Sequence, residues 1–233
     1  MSSAELHPNV RPKDAATLIV IDRSGAEPKV LMGQRHLNSP FMPGKYVFPG
    51  GRVDRGDSRL NVPDRLHQSV ERKLLSDMKG VATPRRAQAL ALAAIRETAE
   101  ETGLLIGART EEQWTTSSPA WRPFMDHGIT PSLSTLTFFL RAITPPRQVR
   151  RFDTRFFCAP AEAIAHQLPN ENDELLNLHW LTFGQALDLE LPTITRFALE
   201  TLNAKLGRNE YPSPRDDIDY FYRRNGKFRR ETL

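Results

Sequence analysis

The sequence predicts an α/β fold in which a mixed sheet carries helices on its faces, an α/β/α sandwich. Short, branched apolar segments alternate with longer segments whose apolar residues recur at helical spacing. Hydrophobic residues make up 39% of the chain and charged residues 26%, which is the range of a globular protein. A chain of 233 residues can bury a sizeable core, and we expect one domain spanning 1–233.

The first predicted strands form a hairpin. TLIVI at 17–21 and VLMGQR at 30–35 are short and apolar, and SGAEP between them supplies turn residues. A third short strand at 46–48 leads into Gly50 and Gly51. Two consecutive glycines permit close approach of the backbone, as a loop around a ligand requires.

A long helix is framed by its own start and stop signals. Thr83 suits the N-cap, Pro84 the first helical position and Gly103 the end of the helix. Between the glycine loop and this helix, residues 59–83 carry apolar side chains at helical spacing and predict an inserted helix. We expect this insert to shape the substrate pocket, because it adjoins the helix in sequence.

The rest of the chain alternates strands and helices, and ends in a basic tail at 207–233. The expected elements are a short helix within 119–127, antiparallel strands at 133–143 and 150–159, a strand at 175–182, and helices at 183–189 and 193–206.

Composition excludes several classes of protein. No apolar run approaches the 18 residues of a membrane span, and the N-terminus has no signal-peptide pattern. The single cysteine, Cys158, lies in an apolar run and is expected to be a buried thiol in a reducing, cytoplasmic setting. The net charge of +4 is not accompanied by a repeated basic and aromatic platform, so nucleic acid is not favoured as a partner.

Residues 94–104, AIRETAEETGL, place three glutamates within five positions of the long helix. Glu97, Glu100 and Glu101 must converge at about 3.6 residues per turn, and each such pair of like charges costs about 0.2–0.5 kcal/mol in an isolated helix. One interpretation is a solvated acidic face. The other is a site for Mg²⁺, a hard cation that takes oxygen ligands and substrate phosphates and relieves the repulsion.

Two separated motifs favour the metal site. PGGRVDRGDS followed by RETAEETGL resembles the signature of the Nudix hydrolases, with Gly51 at the start and Asp57 in place of a glutamate. Asp57 and Arg96 are separated by 38 residues rather than seven, so the signature is split by an insert. The resemblance implies a Nudix fold with an inserted helical segment.

Further segments resemble the Nudix branch that includes acyl-coenzyme A diphosphatases with long inserts. They are the stretch from Arg35 to Gly51, RFDTRFF and NDELLNLHWLT, and together the similar segments cover most of 17–190. One position departs from this branch: Pro40 stands where its coenzyme A motif has an arginine.

The resemblance assigns roles to individual residues. Glu97, Glu100 and Glu101, with the backbone of Gly51, would hold the metal, and Glu97 or Glu101 would activate water. Arg96, at the edge of this face, would orient a glutamate through an ion pair. Asp57 would brace the loop and helix. Glu174 would act as a base or further ligand, with an exposed loop residue as the alternative.

Phosphate binding has its own candidates. Arg35, Arg151 and Arg155 could bind phosphates, because a guanidinium matches phosphate oxygens in a bidentate manner. The Gly50 backbone could approach the same phosphates. The alternative for each arginine is a surface or salt-bridged side chain.

The resulting expectation is a diphosphatase, a hydrolase of phosphorus-containing anhydrides that depends on Mg²⁺ or Mn²⁺. Its first substrate choice is coenzyme A or an acyl ester of it; ADP-ribose, dinucleotides and nucleotide sugars are alternatives. A Nudix module that binds a nucleotide without turnover and an RNA-decapping enzyme are the other hypotheses. The expected partner is a small-molecule diphosphate, with no membrane and with a homodimer left open.

Overall fold

The structure is a computed structural model that describes residues 10–111, 114–169 and 174–233. The strands are β1 (Lys13–Asp22), β2 (Lys29–Arg35), β3 (Tyr46–Val47), β4 (Gly50–Arg52), β5 (Leu104–Arg109), β6 (Ile129–Pro131), β7 (Thr137–Ile143), β8 (Phe152–Pro160), β9 (Ile164–Gln167), β10 (Leu175–Thr182), β11 (Asp219–Arg224) and β12 (Lys227–Thr232). The α-helices are α1 (Gln68–Leu75), α2 (Pro84–Thr102), α3 (Arg122–Asp126), α4 (Phe183–Leu187) and α5 (Thr193–Gly207), and 3₁₀ turns lie at Pro119–Trp121 and Ala161–Ala163.

A large mixed sheet is the centre of the fold. In the described part of the chain it has nine strands, in the order β10-β2-β1-β8-β7-β11-β12, with β3 added to β2 and β4 added to β1. The pairs β1–β8 and β7–β11 are parallel, and the other pairs are antiparallel. A second sheet has the order β6-β5-β9.

Helices cover both faces of the large sheet because its central strands are apolar on both sides. Along β1, Leu18 and Val20 join a core with α1 and α2, whereas Ile19 and Ile21 join a second core with α4 and α5. Alternate residues of a strand point to opposite faces, so one strand contributes to both cores. The predicted α/β/α sandwich is therefore confirmed.

Most predicted elements are present. The hairpin is β1 and β2, the antiparallel pair is β7 and β8, and the strand at 175–182 is β10. The long helix begins at Pro84 and ends before Gly103, as its terminal residues indicate. The small sheet of β5, β6 and β9 was not predicted. Cys158 is fully buried, as expected, and burial raises the pKa of its thiol.

The insert at 59–83 forms the expected helix, α1. Its apolar side chains are part of the core beneath α2: Leu60, Val62, Leu66, Val70, Leu74 and Met78. Asp64 accepts hydrogen bonds from the backbone and hydroxyl of Ser134, and Lys73 donates to the carbonyls of Pro214 and Asp216. The insert is thus built into the core, and its role in shaping the substrate pocket stays a prediction.

The basic segment at 207–233 is not simply a solvated tail. It contains the hairpin β11–β12, and β11 extends the large sheet through parallel pairing with β7. Tyr220 is buried with its ring under the Arg141 guanidinium, 4.3 Å from ring centroid to Cζ. No helix in the described residues has both the length and the apolar character needed to cross a membrane.

Candidate active site

Local sequence fixes the position of α2 at both of its ends. The Thr83 hydroxyl accepts a hydrogen bond from the Arg86 amide, and Pro84 needs no amide partner at the first turn. Gly103 adopts a left-handed conformation, with φ of 75°, and its amide donates to the Ala99 carbonyl. The last two turns of α2 carry the glutamates. The caps fix the position of these turns opposite β4.

Two glycines allow β4 to lie directly against β1 and α2. A Cβ atom on Gly51 would lie 2.4 Å from the Glu97 carboxyl carbon, and one on Gly50 would lie 2.5 Å from the Ala16 carbonyl oxygen. The Gly50 amide donates a hydrogen bond of 2.9 Å to Oε2 of Glu101. Gly51 is therefore required for close approach to the Glu97 carboxylate, and Gly50 for close approach to β1.

Arg96 is the centre of the carboxylate cluster. Its Nη1 donates to Oε1 of Glu97 at 2.9 Å and to Oε2 of Glu100 at 2.8 Å. Its Nε and Nη2 donate to the two carboxylate oxygens of Asp57 at 2.9 and 3.0 Å, and Nη2 also donates to the Arg52 carbonyl. All five guanidinium N–H groups are thereby used.

Burial makes this arrangement rigid. Arg96 is only 5% exposed, so the expectation that it lies at the edge of the acidic face is corrected: it lies beneath that face. Burial alone would lower the pKa of the guanidinium, but the hydrogen bond with Asp57 and the charges of Glu97, Asp57 and Glu100 raise it. Asp57 is 1% exposed and also accepts from the Asp54 amide, so it braces Arg96 and the loop.

The glutamates are held where ionisation is unfavourable. Burial raises the pKa of Glu97 to about 7, against the opposing charge of Arg96, and burial together with Glu97 and Glu174 raises that of Glu101 to about 8. Burial also raises the pKa of Glu100. Glu97, Glu100 and Glu101 each use one carboxylate oxygen in the hydrogen bonds to Arg96 or Gly50 described above. The other oxygen of each carboxylate takes no part in those bonds.

The donor chemistry of this cluster fits a divalent cation. Carboxylate oxygens are the ligands that Mg²⁺ and Mn²⁺ prefer, and a cation would offset the cost of ionising Glu97 and Glu101 in a buried setting. In the described residues, however, no three acidic, histidine or cysteine side chains are arranged as a ready metal cage. The glutamates fit a divalent cation as oxygen donors. Water and substrate oxygens would fill the remaining coordination positions of the cation.

Two other predicted residues lie near the cluster. Glu174 is exposed, and its charge raises the pKa of both Glu97 and Glu101. Arg35, at the end of β2, donates from Nε to the Ser39 hydroxyl and the Phe41 carbonyl, and its charge lowers the pKa of Glu101. The residues immediately before Glu174, 170–173, lie outside the described residues.

The other two arginines predicted to bind phosphate, Arg151 and Arg155, make the hydrogen bonds described here away from the glutamates. Arg155 is 1% exposed, and its Nη1 donates to Asp14 at 2.7 Å and to the Asp153 carbonyl. Arg151 donates to the Thr144 and Val10 carbonyls. The expectation that Arg155 binds phosphate is thus corrected: its charge is used inside the sheet. The Gly50 amide is likewise occupied by Glu101.

Some contributors carry no motif signal. The Arg52 carbonyl contacts Arg96 through the backbone, which no side-chain pattern can indicate. Arg86 does carry a signal, because a cation in the first turn of a helix opposes the helix dipole unless an acid compensates it. The acid is Asp14, whose Oδ2 accepts from Arg86 Nη2 at 2.9 Å.

The mixed sheet, the two helical layers and the carboxylate helix are those of the Nudix fold, and the protein is a hydrolase that acts on phosphorus-containing anhydrides. It is similar to a Nudix hydrolase from Alicyclobacillus acidocaldarius, with 28% sequence identity and a TM-score of 0.62. That match covers 83% of this chain and 92% of the other. No family model matches the sequence.

Two weaker matches are also Nudix proteins. A Nudix hydrolase from M. smegmatis, RenU, is 17% identical over 88% of this chain and 94% of its own, with a TM-score of 0.42. The NUDIX domain of Shewanella oneidensis NrtR, solved with ADP ribose, is 14% identical over 84% and 90%, with a TM-score of 0.48.

Proposed function

We propose that the protein hydrolyses the diphosphate linkage of a nucleoside diphosphate joined to a second group, and that it requires Mg²⁺ or Mn²⁺. The observation that carries this proposal is the cluster on α2, where Arg96 holds Glu97 and Glu100 on one guanidinium nitrogen and Gly50 holds Glu101. A bound divalent cation supplies charge neutralisation at the phosphates and lowers the pKa of a bound water.

The chain's own residues supply orientation and proton transfer. Glu97 or Glu101 accepts the proton of the attacking water, whose oxygen bonds to one phosphorus as the bridging P–O bond breaks. The leaving phosphate takes the electron pair, and two monophosphates result. Carboxylates with pKa values near neutrality suit general base catalysis. Arg96 and Asp57 fix the rotamers of the glutamates, and Glu174 and Arg35 flank the substrate.

Coenzyme A or an acyl ester of it is the first substrate choice, on the resemblance of the segments from Arg35 to Gly51 and of the split signature. Pro40 in place of arginine departs from that branch. ADP-ribose, nucleotide sugars and dinucleotides are the alternative substrates.

A panel of these diphosphate compounds tests the proposal. Each compound is incubated with Mg²⁺, with Mn²⁺ and with a chelator, and products are identified by mass. We expect two monophosphates from at least one compound with either metal and none with the chelator. Saturable binding of a compound with no cleavage under any condition would instead indicate a nucleotide-binding module.

A further inference from the structure

A cleft of about 790 Å³ lies beside the glutamate cluster and does not include it. It opens between the start of β1, the loop after β4 and the first half of α2. Ala89, Leu90 and Val53 give it an apolar part. Its volume lies in the range of small-molecule sites, about 300–1,000 Å³. The cleft can therefore hold more than a single ion.

The acidic side chains of this cleft are already neutralised. Both oxygens of Asp14 are occupied, Oδ2 by Arg86 at 2.9 Å and Oδ1 by Arg155 at 2.7 Å. Asp54 accepts from Nη2 of Arg52 at 3.1 Å. Because Asp14 and Asp54 already pair with arginines, each attracts a further cation less strongly than a free carboxylate would.

Two cations of the cleft make no ion pair with any residue that the structure describes. Within the described residues, the Lys13 amine and the Arg55 guanidinium make no ion pair and no side-chain hydrogen bond, and both residues are exposed. Four basic side chains line the cleft against two acidic ones, which leaves a surplus of two positive charges. A site with unpaired cations and an apolar part fits an organic dianion.

The phosphate group is the dianion that this chemistry fits best. A guanidinium binds phosphate oxygens in a bidentate manner, and a lysine amine adds a point charge. Arg52 connects the two regions: its carbonyl accepts from Arg96 in the glutamate cluster, whereas its side chain lines the cleft. Leu90 precedes Glu97 by seven residues, about two turns or ~10 Å along the helix on the same face.

We propose that this cleft binds a phosphate group, supplied by a phosphate monoester remote from the diphosphate linkage of the substrate or by free phosphate. The possibility that the phosphate belongs to the substrate rests on the proposed function, because that function places the diphosphate of the substrate at Glu97 and Glu101. The binding of phosphate itself does not depend on hydrolysis. The residues that bind it are Lys13 and Arg55, supported by Arg52 and Arg86.

Binding of inorganic phosphate to the full-length protein, with a chelator present, tests the site by calorimetry. The variant is Lys13→Gln/Arg55→Gln. The matched control is Arg85→Gln/Arg229→Gln, which removes two positive charges from exposed residues outside the cleft, one of them on the first turn of α2. We expect Kd to rise at least about tenfold in the variant and less than about twofold in the control.

Two outcomes would overturn the proposal: no saturable phosphate binding to the wild type, or equal weakening in the variant and the control. KM values for coenzyme A and dephospho-coenzyme A show which molecule supplies the phosphate that binds in the cleft. Loss of a preference for coenzyme A in the cleft variant assigns the site to a substrate monoester. An unchanged preference with loss of phosphate binding assigns it to free phosphate. A protein that cleaves neither compound would exclude coenzyme A as the substrate while leaving the calorimetric result intact.

Discussion

Arg96 determines how three acids can share one helix. Its side chain satisfies Glu97, Glu100 and Asp57 together, so each carboxylate has a fixed rotamer before any ligand arrives. Preorganised groups of this kind need little rearrangement when charge develops in a reaction. The repulsion expected among the glutamates is thus balanced partly by one buried cation.

Glu101 is the residue whose change should affect turnover most cleanly. Glu101→Gln retains an oxygen that can accept from the Gly50 amide, but it removes the negative charge and the proton acceptor. We expect turnover of the cleaved diphosphate to fall by about two orders of magnitude or more. Steady-state kinetics with Mg²⁺ measures the change.

The control is Glu200→Gln, on the exposed side of α5, which should leave turnover within about twofold of wild type because a surface change away from the site has little effect. Circular dichroism establishes that both variants are folded. Wild-type activity in folded Glu101→Gln would remove this carboxylate from the site.

Asp57→Asn tests the brace beneath the cluster. The amide keeps the shape of the side chain but leaves the buried Arg96 charge without its bidentate partner. Removing one partner of a buried ion pair is strongly destabilising, so we expect the free energy of unfolding to fall by about 3 kcal/mol. Urea denaturation measures it, with Asp126→Asn on the exposed side of α3 as the control. Equal stabilities of the two variants would show that the brace contributes little.

The raised pKa values imply a pH dependence of stability in metal-free protein. Folded Glu101 has a pKa of about 8 against an ordinary value of 4.5, so between these pH values the folded state holds a proton that the unfolded state has lost. The free energy of unfolding should therefore decrease as pH rises through this window. Glu97 acts in the same direction up to about pH 7.

Urea denaturation at several pH values, with a chelator present, measures this dependence. Glu101→Gln has no such proton, and its stability should fall less steeply between pH 4.5 and 8 than that of the wild type. Parallel curves for the two proteins would contradict the account of Glu101 as a buried acid.

At the scale of elements, the insert is a structural part of the core and not an appendage. Leu74 of α1 is 2% exposed in the core beneath α2. Leu74→Ala should lower the free energy of unfolding by about 2–5 kcal/mol, the cost of a cavity at a buried leucine. Leu37→Ala is the matched control, because that leucine is 77% exposed. A change below 1 kcal/mol at Leu74, on the scale of ordinary surface substitutions of about 0.5 kcal/mol, would mean that the insert is not packed as described.

The bounds of α2 could be predicted because its signals are local. Thr83, Pro84 and Gly103 act on hydrogen bonds within four residues of themselves. The hairpin β11–β12 could not, because the same basic residues suit a solvated tail until β11 pairs with β7 and Tyr220 packs on Arg141. Those contacts join residues far apart in sequence.

In the candidate site, too, features set by local sequence could be predicted, whereas features set by contacts between distant residues could not. The convergence of Glu97, Glu100 and Glu101 follows from helical spacing, and Arg96 follows from its place in the motif. Arg155 could not be placed, because its partner Asp14 is 141 residues away and only the parallel pairing of β1 and β8 brings them together.

At the scale of the whole molecule, the sheet, β4 and α2 hold the glutamate carboxylates together, and we propose that these carboxylates bind a divalent cation. Titration of metal-free protein with Mn²⁺, followed by electron paramagnetic resonance, tests this claim most directly. We expect saturable binding to the wild type, and Kd higher by at least about tenfold in Glu97→Gln/Glu101→Gln. Equal Mn²⁺ affinity in the folded variant and the wild type would contradict the account.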